Sequence, residues 1–137
     1  MVNKFNFYQT SAECAEAYNV TAPGMAMFRQ FDKFQPLVFE GAHTTKSFLD
    51  FVDKNFAPEV INFKLDNAEP LFRFGWRSLF LLTESKKADY NTPFAEAAKE
   101  LKGQALFVKS GISKGDGRNL AVSLKVIKED LPALIMQ

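Results

Sequence analysis

The sequence predicts an α/β fold with a mixed central sheet flanked by helices. Three observations carry this. Strand-like apolar runs alternate along the chain with segments of helical periodicity, the pattern of βαβ units. Ser78 to Leu82 is a near-continuous apolar run of the kind buried on both faces of a sheet. Fifteen phenylalanines load the chain with a residue of high strand propensity and large buried area. Most of them read as core, and a few as lining an exposed apolar site.

The elements follow in order. Phe5 to Tyr8 alternates like a strand. Ser11 can cap a short helix through Tyr18. Val20-Thr-Ala-Pro23 leads into an apolar strand, Met25 to Phe31, and after a short turn a second strand, Leu37 to Phe39, ends at Gly41. Thr44 or Thr45 can cap the next helix, which places Phe48, Leu49, Val52 and Phe56 on one face. Val60 to Phe63 is a strand. Asn67 to Phe74 is a short helix, with Pro70 in its first turn and Gly75 at its end. After Ser78–Leu82, Thr92-Pro93 starts a helix whose Phe94, Ala97, Ala98 and Leu101 share a face, and Gly103 stops it. Ala105 to Val108 is a strand, Asp116 caps a helix through Ile127, and Glu129-Asp-Leu-Pro132 leads into the strand Ala133 to Met136. Both ends of the chain thus read strand, helix, X-Pro, strand, an internal repeat with little residue identity. A module boundary falls at Ala57-Pro58.

A length of 137 residues suits one domain or pieces of two. Seventeen basic residues nearly balance sixteen acidic ones without a long single-sign run. That argues against nucleic acid as a partner, which needs clustered Lys and Arg. No apolar run approaches a membrane span, and no secretory leader is read at the start. Met1-Val-Asn-Lys4 reads as an artificial or internal start.

Cys14 is the single cysteine, so no intrachain disulfide and no Cys-x-x-Cys pair exists. In Glu-Cys-Ala-Glu it reads as a structural or incidental thiol. His43 is the single histidine, in Gly-Ala-His-Thr before a helix, with no ligand cluster around it. It reads as an exposed loop residue, and no metal site is expected. Gly111-Ile-Ser-Lys-Gly-Asp-Gly117 is glycine-rich, but a phosphate loop ends in Gly-Lys-Ser/Thr, and Asp116 would repel phosphate. No catalytic residue and no cofactor follow from any of these. Asn19-Val20-Thr21 is an N-glycosylation sequon, meaningful if the chain enters the secretory pathway.

The stretch Phe28-Arg-Gln-Phe-Asp-Lys-Phe34, then Val38-Phe-Glu-Gly41 and Phe48-Leu-Asp-Phe-Val52, closely resembles the non-catalytic thioredoxin-like domains of the protein disulfide isomerase family. Lys102–Val108 and the Leu131-Pro132 step add to the resemblance. Residues 1–57 look like the closing half of the first such domain, b. Residues 58–137 look like the second, b′, without its last strand and helix. The resemblance therefore implies thioredoxin-like modules incomplete at both chain ends, whose open edges must be completed. A swapped homodimer is the slightly favoured route. The short connection Ala57-Pro58-Glu59 works against the alternative, in which the Met25–Phe39 hairpin and the following helix complete the sheet within one chain.

The resemblance also implies a site. In the family, b′ binds unfolded peptides in an apolar pocket between its first and last helices. The matching positions are Phe72, Leu79, Phe80, Leu120 and Leu124, with Phe74 and Trp76 around Gly75. Leu79 and Phe80 read equally well as residues that pack helix against sheet. Pro132 and Pro23 match the family's structural cis-prolines. The implied function is to hold unfolded or partly folded polypeptide in the endoplasmic reticulum lumen for catalytic domains elsewhere in the parent protein. The alternative is a spacer, or a docking module that recruits a folded chaperone through charged residues.

Overall fold

The computed structural model describes residues 6–21, 23–73, 77–85 and 89–137, the side chains of Pro70 and Arg73 excepted. The elements are α1 (Ala12–Ala17), β1 (Ala26–Phe28), β2 (Pro36–Val38), α2 (Thr45–Asn55), β3 (Ile61–Asn62), α3 (Ala68–Arg73), β4 (Ser78–Thr83), α4 (Asn91–Glu100), β5 (Leu106–Gly111), α5 (Asp116–Ser123) and β6 (Ala133–Met136). They fall into two compact units, Met1–Phe56 and Ala57–Gln137.

In the first unit α1 begins where expected, because the Ser11 hydroxyl accepts the Cys14 N–H at 3.4 Å. It ends in a Schellman turn. Asn19 is left-handed at φ 58°. Its N–H donates to the Glu16 carbonyl at 2.9 Å, and the Val20 N–H reaches back to the Ala15 carbonyl at 3.0 Å. The Val20 side chain is then buried. β1 and β2 form an antiparallel hairpin with Ala26 opposite Val38 and Phe28 opposite Pro36. β1 stops at Phe28 rather than Phe31, because Gln30–Asp32 coils into a 3-10 turn. Lys33 and Phe34, both left-handed, then reverse the chain. Thr44 caps α2, its hydroxyl accepting the Ser47 N–H at 3.2 Å. The ring of Phe39 packs edge-on against Phe48 at 4.9 Å and Phe51 at 5.3 Å. Leu49, expected on the packed face, is exposed, and Phe51 takes that place. Of the strand expected over Phe5 to Tyr8, Phe5 lies outside the described residues, and residues 6–8 form no strand.

The second unit is built on a four-stranded sheet of order β3-β5-β4-β6. The first three strands are parallel, and β6 runs antiparallel to β4. Alternation sends Phe80 and Leu82 of β4 to one face, with Val108 of β5, Leu71 of α3 and Leu120 and Ala121 of α5. Leu79 and Leu81 go to the other face, with Phe107 of β5 and Phe94 and Ala98 of α4. β5 continues past Val108 to Gly111, still paired with β4 through Thr83. This is possible because α5 crosses it at Gly117, where an added Cβ would collide with the Gly111 carbonyl.

Asp116 is the first residue of α5, and Gly115 holds the cap position instead. The Asp116 carboxylate accepts the Leu65 N–H at 3.0 Å, tying α5 to the loop after β3. α5 ends before Ile127 because Lys125 turns left-handed, at φ 57°. The Leu131-Pro132 bond is cis; the Ala22-Pro23 bond lies outside the described residues. β6 is a sheet edge. Its Ala133 and Ile135 face the α3/α5 side, while Leu134 and Met136 stand exposed on the α4 side. Among the described residues the β1–β2 hairpin forms a two-stranded sheet of its own.

Candidate functional site

The site is built on the α3/α5 face of the second unit. Its floor is the cluster of Phe80, Leu82, Val108, Leu120 and Leu71. Phe80 is 0 % exposed and Leu120 2 %, so both are packed within the core. Phe72 stands above them at 38 % exposure. Its ring stacks on Phe80 at a centroid distance of 5.5 Å and an interplanar angle of 12°. α3 thus turns Leu71 inward and leaves Phe72 half in water. Leu124, at the end of α5, packs half-buried on the same cluster.

Of the expected site residues, Phe72, Phe80, Leu120 and Leu124 are therefore brought to one face. Leu79 is not. It points to the opposite face and packs against the α4 cluster, because neighbouring residues in a strand alternate. Phe74 and Trp76 lie outside the described residues. Leu71 and Val126 were missed by sequence reasoning, although both belong to the floor. The run Leu71-Phe72 carried the signal for Leu71, as one buried and one emerging side chain on a short helix.

The chemistry of this face is apolar. In the same unit an ion pair joins Lys128 Nζ to Glu84 Oε1 at 2.8 Å. The hydrogen bond to Lys128 holds the Glu84 carboxyl below its ordinary range, and the same bond raises the Lys128 ammonium. Cys14 is exposed on α1, in the other unit. His43 is exposed beside the rings of Phe39 and Phe48, at 6.1 and 5.9 Å. Among the described residues no cluster of ligands could hold a metal ion. An arrangement of this kind offers an aromatic surface over a closely packed apolar floor.

A family model described as a thioredoxin-like domain matches residues 1–137, and the chain belongs to that family. The chain is also 28% identical over 128 residues to a protein disulfide-isomerase of Oryctolagus cuniculus, covering 90% of the chain and 25% of the relative. It is 29% identical over 129 residues to a protein disulfide-isomerase of Gallus gallus, covering 91% and 25%. The chain thus spans about a quarter of the length of the curated relatives it matches. The mixed sheet flanked by helices agrees with the family's fold, as the resemblance implied.

Proposed function

We propose that this chain is a non-catalytic, polypeptide-binding part of a protein disulfide isomerase, acting in the endoplasmic reticulum lumen. It holds unfolded segments so that catalytic domains elsewhere in the parent protein can act on them. The observation that carries the reading is Phe72, half exposed and stacked on a fully buried Phe80. An unfolded client offers apolar side chains of no fixed order. A rigid aromatic face accepts many of them, each weakly, because the exchange is driven by apolar area rather than by directional bonds. The lone Cys14 cannot release a mixed disulfide by itself, so thiol exchange falls to other parts of the parent.

The test is titration of a labelled, apolar-rich unfolded peptide against the chain. Binding is expected at about micromolar or weaker, no more than roughly 8 kcal/mol in magnitude. Phe72→Ala and Leu124→Ala should each weaken it severalfold. Unchanged affinity in both folded variants would remove the assigned face. Binding that collapses with added salt would replace it with charged docking of a folded partner.

A further inference from the structure

We propose that Asn19 is an acceptor for an N-linked glycan, a reading that rests on the lumenal location proposed above. Asn19-Val20-Thr21 is the only Asn-x-Ser/Thr triplet without a central proline in the sequence. The structure supplies what the triplet alone does not. Asn19 is the left-handed residue of the Schellman turn that ends α1. Val20 tucks into the first unit, while Asn19 and Thr21 on either side of it are exposed. Among the described residues, neither exposed side chain has a hydrogen-bond partner. The carboxamide and the hydroxyl that such a site needs are thus both presented at a surface turn, where a bulky glycan meets no steric obstacle from Val20.

The left-handed turn explains an asparagine at position 19 without any glycan, since Asn is among the few residues tolerated there. It does not explain a threonine two residues on. In the reaction the Asn19 amide nitrogen bonds to the anomeric carbon of a lipid-linked oligosaccharide diphosphate. The sugar–phosphate C–O bond breaks, its electron pair leaves with the lipid diphosphate, and the amide gives up one proton. No oxidant or reductant is needed. The glycan would stand beside the exposed Tyr18–Phe28 ring pair, 5.1 Å between centroids, and keep that apolar surface in water.

The experiment translates the full chain behind a cleavable secretory signal in the presence of microsomes, then treats the protease-protected product with peptide-N-glycosidase. Forced entry tests the acceptor apart from the native location, so failure here removes the acceptor and does not bear on the lumenal or the peptide-binding reading. One slower band that collapses on deglycosylation is expected. Thr21→Ala, which keeps the Schellman turn, should abolish it, and Asn19→Gly, which suits the left-handed conformation, should do the same. Thr21→Ser should retain it. A protected chain with no shifted band overturns the proposal, as does a shifted band that survives Thr21→Ala.

Discussion

The two units use aromatic residues in opposite ways. In the second, Phe80 and Phe107 are sealed between sheet and helices, one on each face, and Leu82, Val108 and Leu120 complete the packing. In the first, Phe28, Phe31 and Phe34 stand exposed around the hairpin, and among the described residues only Val20 and Phe39 are buried hydrophobics. The first unit holds nine of the fifteen phenylalanines and the longer second unit six, so phenylalanine content does not explain the second unit's better burial. What differs is the number of layers. A four-stranded sheet with helices on both faces offers two interiors, while a two-stranded hairpin offers one shallow one. Aromatic content supplies the apolar area, and layering decides whether water leaves it.

The sharpest way to break this comparison is a matched pair of truncations. Phe80→Ala should destabilise the second unit by about 3–5 kcal/mol, the range for a fully buried aromatic. Phe34→Ala, at a position 59 % exposed, should stay within about 0.5 kcal/mol. Urea unfolding followed by near-ultraviolet circular dichroism reads both. Equal losses would mean that the hairpin aromatics are packed in solution and that the two units do not differ as described.

Much of the fold was legible in the residues, and the misses have physical causes. The caps at Ser11 and Thr44 and the apolar run of β4 are local signals, and each led to its element. The face of Leu79 was not legible, because a run that is apolar throughout hides its own alternation. The end of β5 was hidden for a similar reason. Lys109-Ser110-Gly111 looks like the start of a loop, yet it is ladder, with Ser110 buried beneath the crossing of α5. Asp116 looked like a cap because its true partner, the Leu65 N–H, lies 51 residues away in sequence. The candidate site was legible at Phe72, the one aromatic that α3 leaves half exposed over the core.

The crossing at Gly117 gives a second test of layering. An added Cβ there meets the Gly111 carbonyl and, at 2.7 Å, the Ser110 hydroxyl. Gly117→Ala should therefore cost about 1–3 kcal/mol, as overpacking does, despite alanine's better helix propensity. A neutral or stabilising result in thermal unfolding would show that α5 and β5 can separate without loss, and the tight layering would fail as an explanation.

Smaller effects belong to the two Schellman turns, one in each unit. Lys125 at φ 57° carries a side chain where glycine is preferred. Lys125→Gly should stabilise the second unit by about 0.5–1 kcal/mol, the left-handed strain relieved less the added chain entropy. Asn19→Gly should shift the first unit by only a few tenths of a kcal/mol, since Asn already tolerates that conformation. Thermal midpoints of the two single variants decide it. Loss of stability in Lys125→Gly would mean that its side chain packs usefully.

The smallest effect concerns charge, and it asks whether the second unit's advantage depends on pH. Lys128 and Glu84 join the turn before β6 to the end of β4, 2.8 Å apart and largely exposed to solvent. The Glu84 carboxyl is held below its ordinary range. Any stability it contributes is therefore present above the unfolded carboxylate range and lost as pH falls through the lowered folded value. The Lys128 ammonium is raised. Its contribution is present below the unfolded lysine range and lost as pH rises through the raised folded value. The pair is thus intact across the whole neutral region, and exposure and salt keep its effect slight. Nuclear magnetic resonance titration of the Glu84 carboxyl should show a lowered midpoint that returns towards the ordinary value in Lys128→Met. Stability at neutral pH should barely move in that variant. A large loss would mean that a surface ion pair, and not the two buried layers, sets the second unit apart from the first.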